Sequence, residues 1–427
     1  MRALKVLLVA EAMTLAHVVR LVTLAESLCR DGADVVLATD PRYAELIETP
    51  PYPVVPLDSL PARRFAAALA SGARIYDSDT LARYAREELA LFDRHRPDAV
   101  VGDFRLSLGA SARHAGIPFV NLANAYWSPH ARVRRVVPEY DWVQWLGVTA
   151  AGALFRAFRA AGFAHHARPV NRLRRDYGLA SLGGDFGALL VDGDLTCFAD
   201  SPLIVPVDRL SPNQCFIGPL PWSPRVPLPD WWQAFARADD GRPAVYVNLG
   251  SSGPPEALQG ILDALATMPV RVIAASAGQP VARLRVAANA RVAALLPGDE
   301  ASAVARLVIC NGGSPATYQA LTAGVPVIGV ATNMDQFLNM AAVEDAGCGI
   351  LLRSGHLEGD GIRSAVLRAL SEPRLSSAAR CVAAALAQTS ATALFRQALG
   401  RLLGRASPAE SWGARTNGKR SRGPQAP

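Results

Sequence analysis

The sequence predicts an α/β protein made of two Rossmann-like domains that face each other across a cleft. Three observations carry that prediction. Short apolar runs alternate with helical periodicity through both halves, which is the spacing of βαβ units and parallel sheets. A Pro-rich connector, GPLPWSPRVPLP at 218–229, separates two such series. Both series also end strands on polar residues, at the edge where ligands sit in open α/β sheets. With 427 residues, half of them hydrophobic, the chain can bury a large core, and its length suits two domains better than one.

In the first half, Val6 to Ala10 reads as a strand, His17 to Arg30 as a helix, Asp34 to Ala38 as a strand and Val54 to Leu57 as a short third strand. Periodic Leu, Tyr and Phe over 78–94 predict a helix. Ala99 to Val101 gives a strand ending at Asp103, followed by a helix from Ser107 to His114 and a strand from Pro118 to Leu122. Residues 127–177 break the rhythm with nine arginines set among Trp142, Trp145, Leu154, Phe155, Phe158 and Phe163. Two readings stay open there: a helical cover over the sheet edge with solvated arginines, or an apolar acceptor pocket whose basic rim touches a membrane surface. Leu189 to Phe198 and Gln214 to Ile217 close this half.

The second half repeats the pattern. Ala244 to Leu249 is a strand before Gly250-Ser251-Ser252-Gly253, and Pro255 to Ala266 is a helix. Strands follow at Val270 to Ala274, Val292 to Leu295, Leu307 to Cys310, Val327 to Val330 and Ile350 to Leu352, with helices near 361–370 and 376–388. The boundaries implied are 1–222 and 241–403 for the two domains, 223–240 for the linker and 404–427 for a disordered basic tail.

Composition excludes several functions. The formal charge of +7 owes much to the tail, where Arg405, Arg415, Lys419, Arg420 and Arg422 face Glu410 alone. Lys5 and Lys419 are the only lysines, so the arginine excess reflects genome composition, and nucleic acid is not expected as a partner. Six scattered cysteines lack metal-like spacing and read as reduced, buried thiols; no metal is expected. The basic, apolar start is interrupted by Glu11 and His17, which favours a buried strand and helix over a signal peptide. With no apolar run of transmembrane length, a cytoplasmic location is expected, and contact with the inner face of the membrane stays open.

Two clusters carry chemistry. Leu307 to Cys310, then Asn311-Gly312-Gly313, then an Ala- and Leu-rich run, form a strand, tight turn and helix start. Unpaired N–H groups of such a first helical turn suit a phosphate. Asp335 and Gln336 stand at the exit of the next strand, where they suit a polyhydroxy sugar or cap a helix. In the first half, His17 follows one strand and Asp103 ends another. If the fold brings them together, the carboxylate fixes the imidazole tautomer while the other ring nitrogen takes a proton from a substrate hydroxyl.

Residues 311–336, NGGSPATYQALTAGVPVIGVATNMDQ, resemble the donor-binding signature of the nucleotide-sugar-dependent glycosyltransferases of the GT-B fold, the family of UDP-glucuronosyltransferases and macrolide and antibiotic glycosyltransferases. LAHVVRLVTLAESLCRDGADVVLATD, VVGDF, CFIGPL and VYVNLGSS extend the similarity over most of residues 1–400, thinly across 125–190. The resemblance implies an inverting hexosyltransferase with a UDP- or dTDP-sugar as co-substrate and no bound cofactor. His17 would be the base and Asp103 its orienting partner. Gly313, Ser314 and Thr317 would hold the diphosphate, Ser252 would lie near the phosphates or sugar, and Asp335 and Gln336 would hold sugar hydroxyls. The acceptor implied by residues 127–163 is an apolar, hydroxyl-bearing small molecule or lipid. Departures are Asn311 in place of a histidine, Gln319 in place of a ribose-binding Glu, Ala293-Ala294-Leu295-Leu296 where a Trp lies under the base, and Arg20 where Pro is common. They keep two alternatives in view: a non-catalytic nucleotide-sugar-binding or auxiliary protein, and a sugar-nucleotide epimerase or hydrolase. Oligomeric state is not legible.

Overall fold

The computed structural model describes residues 2–47, 50–250, 255–276 and 280–404. Ser252 and the basic tail after Gly404 lie outside the described residues. The first sheet comprises Lys5–Ala10 (β1), Asp34–Thr39 (β2), Val54–Pro56 (β3), Ala99–Asp103 (β4), Phe119–Ala123 (β5), Leu195–Phe198 (β6) and Gln214–Phe216 (β7), in the order β3-β2-β1-β4-β5-β6-β7. Its pairings are all parallel. The second comprises Ala244–Asn248 (β8), Arg271–Ala275 (β9), Ala290–Ala293 (β10), Leu307–Cys310 (β11), Val327–Ala331 (β12) and Gly349–Arg353 (β13), in the order β10-β9-β8-β11-β12-β13, again parallel throughout. Two Rossmann-like sheets are thus present, and a cleft runs between them.

Continuous apolar runs explain the parallel sheets. Leu7, Leu8 and Val9 are all fully buried, without alternation, because helices cover both faces of the strand. In each sheet the strand order reverses once near the centre, between β1 and β4 and between β8 and β11. Ala10 is in register with Asp103, and Cys310 with Asn248, so the loops that leave these strand ends share two crevices. Ligands gather at such switch points.

Three local features depart from the linear pattern. The stretch expected as Leu189 to Phe198 divides into a helix, Phe186–Leu190, and β6, because Gly193 turns where a Cβ would stand 2.7 Å from the Leu195 carbonyl. Residues 148–176 form one helix of 29 residues with Pro169 inside it. The last helix, Ala391–Leu402, returns to the first half although its sequence position groups it with the second. Phe395, Ala398 and Leu399 join the core beside Val18, Leu21 and Leu24, and Arg396 pairs with Asp31. Its apolar face is buried there against the helix Leu15–Arg30 and β6.

Candidate active site

The first crevice is built from charged side chains. His17 sits in the first turn of the helix Leu15–Arg30, just past β1, and its Nδ1 lies 2.8 Å from Asp103 Oδ1 at the end of β4. Nδ1 therefore carries the proton, which leaves Nε2 as an acceptor on a ring that lines the cleft. Phe104 stacks on the imidazole at 4.9 Å, and it holds φ at +55°, a left-handed conformation that a bulky residue adopts only under constraint. Arg20 stands three residues after His17, on the same helix face. It donates from Nε to Asp103 Oδ2 at 2.8 Å and from NH2 to Oδ1 at 2.7 Å, with NH1 on Asn124 Oδ1 at 2.8 Å. The 3.3 Å contact between Arg20 NH2 and His17 Nδ1 joins two donors, so it is a by-product of both groups reaching the same oxygen.

That network continues to the other half of the molecule. Asn124 donates its amide to Asp200 and, at 3.2 Å, to Ser314 Oγ on the second-half loop. Asp200 also accepts from the Ala125 backbone N–H at 2.6 Å. Burial pushes the Asp200 carboxyl up to about 6, and these donors together with the Arg20 charge hold it from rising further. Tyr318 Oη accepts from the Ser201 N–H at 2.9 Å, a second polar bridge between the halves.

The second crevice is built from backbone and neutral amides. Gly312 has φ at +78°, and a Cβ there would lie 2.7 Å from Met340 Cγ, so only glycine fits. Asn311 Oδ1 accepts from the Gly313 N–H at 3.0 Å, which occupies that donor. Pro315 has none, so Ser314 and Ala316 supply the free N–H groups in the first turn of the helix Ser314–Thr322. Thr317 does not face the cleft: fully buried, its hydroxyl donates to the Gly313 carbonyl at 2.9 Å and accepts from Asn339, bracing the loop from behind. Gln319 donates to Ser223 Oγ at 3.1 Å and to the Trp222 carbonyl, tying this helix to the linker.

Asp335 Oδ1 accepts from Tyr126 Oη at 3.0 Å and Trp127 Nε1 at 2.9 Å, both from the first half, and Asp335 lines the cleft. Gln336 forms a capping box with Asn333, so its carbonyl oxygen serves the helix Met334–Asp345 and its amide NH2 stays available.

Between the crevices lies a cavity of about 930 Å³, lined by His17, Arg20 and Asn124 from one side and Asn311, Ser314 and Asp335 from the other. Phe65, Trp142, Phe155, Phe158, Phe163 and Phe186 give it an apolar wall. Trp222, Leu295, Leu296 and Gln319 line it as well, Gln319 bonded to the Trp222 carbonyl. Sequence reasoning missed Asn124, Tyr126, Asp200 and Trp222. The strand-exit rule that singled out Asp103 would have found Asn124 and Asp200 after β5 and β6. Among the described residues no group of three or more His, Cys, Asp or Glu is placed to hold a metal, and no helix is long and apolar enough to cross a membrane.

Comparison with known proteins agrees with this geometry. A family model for the C-terminal domain of erythromycin biosynthesis protein CIII-like proteins matches residues 259–398. A PGL/p-HBAD biosynthesis glycosyltransferase of Mycobacterium tuberculosis is 46% identical over 384 residues, 90% of this chain and 89% of that one. A PGL/p-HBAD biosynthesis rhamnosyltransferase of Mycobacterium bovis is 45% identical over 378 residues, 88% of this chain and 83% of that one. The crystal structure of a calicheamicin glycosyltransferase, 19% identical, superposes with a TM-score of 0.68 over 96% of this chain and 100% of that one, a likeness of fold. Two Rossmann-like sheets facing across a cleft are the GT-B architecture, and the relatives at 46% and 45% identity make the chain a glycosyltransferase of that fold. The chain belongs to the family of the PGL/p-HBAD biosynthesis glycosyltransferases and shares its fold with an antibiotic glycosyltransferase. As a member of that family it is a catalyst of glycosyl transfer.

Proposed function

We propose that the enzyme moves a hexose or deoxyhexose from a UDP- or dTDP-sugar to a hydroxyl of an apolar small molecule or lipid, with His17 as the base. As the acceptor oxygen bonds to the anomeric carbon, its proton passes to His17 Nε2 and the bond from that carbon to the diphosphate oxygen breaks, with inversion. Asp103 orients the ring, and its carboxylate meets the imidazolium that forms. The Ser314 and Ala316 N–H groups at the positive end of their helix take the charge of the departing diphosphate. Asp335 Oδ2 and the Gln336 amide hold sugar hydroxyls. Gly313 contributes close backbone approach, Thr317 braces the loop, and Asn311 donates to a phosphate oxygen. Trp222, with Leu295 and Leu296, supplies the apolar surface for the base, and Gln319 meets the ribose beside it.

The observation that carries this reading is the single cavity in which the His17 imidazole and the start of the helix Ser314–Thr322 both stand, with an aromatic wall beside them. Acceptor binding falls to residues 1–222 with the returning helix Ala391–Leu402, and donor binding to 241–390. One of the relatives is by name a rhamnosyltransferase, and we carry a deoxyhexose to this chain as the donor sugar. The protein works in the cytoplasm, with its acceptor reaching it from the inner membrane face. Calorimetry against UDP, dTDP and their sugars, paired with a transfer assay, tests the assignment. His17→Ala is expected to lower turnover by roughly 10²–10⁴-fold while donor affinity is kept. Turnover within a few-fold of the parent would eliminate His17 as the base.

A further inference from the structure

The long helix Val148–Asp176 carries a surface that the transfer chemistry does not use. Leu154, Phe158, His165, Arg168, Arg172 and Arg175 recur at spacings of three, four or seven, so they share one face of the helix, and all six are exposed. The amino-terminal part of this face is apolar. It is extended by Leu146 and by Trp145, which is 89% exposed. The carboxyl-terminal part is cationic: Arg168, Arg172 and Arg175 join Arg74 around a depression of about 470 Å³ that no acidic side chain lines. Those four guanidiniums have no carboxylate partner among the described residues. From Trp142 to Arg175 the sequence holds no Asp or Glu.

Two features decide what covers such a face. It is continuous with the mouth of the large cavity, since Leu154, Phe158 and Arg159 line that cavity as well. Its charge has one sign. A second copy of the chain, meeting it about a two-fold axis, would set arginine against arginine or against the apolar half of the face, and neither arrangement supplies a negative charge. An anionic lipid surface satisfies both parts at once, with apolar side chains below the headgroups and guanidiniums on their phosphates.

We infer that this helix face docks the enzyme on a bilayer containing anionic phospholipid. Trp145 and Leu146 enter the boundary between headgroups and acyl chains, Arg168, Arg172, Arg175 and Arg74 hold headgroup phosphates, and the acceptor cavity opens onto the lipid beside Phe158. This rests on the proposed apolar acceptor only for its purpose; the docking itself is measured without any transfer.

The test is co-sedimentation of the full chain with vesicles of phosphatidylcholine alone and of phosphatidylcholine with one-quarter phosphatidylglycerol. Binding is expected with the anionic vesicles only, weakening steeply between 0.1 and 0.5 M salt, salt levels that span the onset of strong screening. The triple variant R168E/R172E/R175E should bind about 100-fold more weakly, taking roughly tenfold for each 1.4 kcal/mol and about 1 kcal/mol or more per reversed charge. Trp145→Ser should lose roughly tenfold through its buried area. Both variants should transfer to a water-soluble acceptor as the parent does, which separates docking from folding and from the site. Equal binding to neutral vesicles, or undiminished binding of the triple variant, would overturn the inference. So would a dimer in lipid-free solution that the same charge reversals dissociate. Loss of docking in the variants with parental transfer to apolar acceptors in vesicles would overturn the purpose assigned to it.

Discussion

The two crevices occupy equivalent places in two equivalent sheets and are built from opposite materials. Where β1 and β4 part, the lining is backed by buried charge: Arg20 with Asp103, then Asp200, and further Glu11, Arg105 and Glu88 without solvent exposure. Where β8 and β11 part, the lining is glycine, amide and backbone N–H, and Asp335 is the one charged side chain that the second half gives to the cavity among the described residues. A proton-moving group needs a fixed orientation and a counter-charge close by, and buried ion pairs supply both. A diphosphate brings its own charge, and oriented N–H dipoles receive it without carrying a cost of burial while the site stands open. The same fold thus separates a site where charge resides from one where charge arrives.

The largest effect should come from breaking the charged crevice. Asp103→Ala leaves the buried Arg20 guanidinium hydrogen-bonded to Asn124, with Asp200 as a nearby charge that does not bond it, and a single lost partner of a buried pair costs about 3–5 kcal/mol. Urea unfolding measures it. The double variant Asp103→Ala/Arg20→Leu should recover most of that loss, because it removes the stranded charge, yet both variants should lack transfer. If the double variant were no more stable than the single, the stability would not lie in the pair. The matching lesion opposite, Asn311→Ala, removes the neutral hydrogen bond to Gly313, whose loss alone should cost about 1 kcal/mol.

Asp200 gives the next effect and a sign that distinguishes the halves. Its carboxyl stands at about 6 in the fold against an ordinary 3.8. A raised value means the folded protein binds the proton more tightly. The stabilisation is therefore complete below about pH 4 and is lost as pH rises through 6, by about 3 kcal/mol in all. Unfolding midpoints taken from pH 4 to 7.5 should show the parent falling relative to Asp200→Asn across that window. A constant difference between the two would remove Asp200 as the titrating group.

How much of this was legible in the sequence follows from the range of each interaction. The strands at the two switch points were, because continuous apolar runs such as KVLLVA and LVIC define them locally and their exits fall on His17, Asp103 and Asn311. Arg20 was visible only as a residue out of pattern, since the carboxylate that explains it lies 83 residues away. Thr317 read as a phosphate ligand because its inward turn depends on Asn339, a partner 22 residues on. The return of Ala391–Leu402 to the first sheet escaped for a related reason: an amphipathic face announces that it will be buried, and nothing in its own sequence says against what.

The neutral crevice can be made to resemble the charged one. Asn311→His places an imidazole beside Gly250 and Gly313, on the loop that begins the phosphate site. With an ordinary value of ~6.5, the new side chain is cationic at pH 5.5 and neutral at pH 8. Donor binding should tighten by about tenfold at the lower pH, as expected when a charge-assisted hydrogen bond replaces a neutral one, and the gain should vanish as pH rises through ~6.5. Calorimetry with the nucleoside diphosphate at the two pH values checks it, and a pH-independent change would mean that the substitution alters loop shape alone.

The smallest effect belongs to the capping box. Asn333 Oδ1 accepts from the Gln336 N–H at 3.1 Å, and Gln336 returns its carbonyl oxygen to the Asn333 N–H at 3.3 Å. Asn333→Ala removes the first bond, which costs about 1 kcal/mol of stability. It also frees Gln336 to change rotamer, although the Thr332 N–H still holds the same oxygen at 2.8 Å. KM for the sugar nucleotide should therefore rise by no more than about threefold, with turnover unchanged, because a loosened amide weakens substrate and transition state alike. A fall in turnover instead would mean that this second-half amide is held in place for the transition state, and the contrast between a charged catalytic crevice and a neutral binding crevice would fail at that residue.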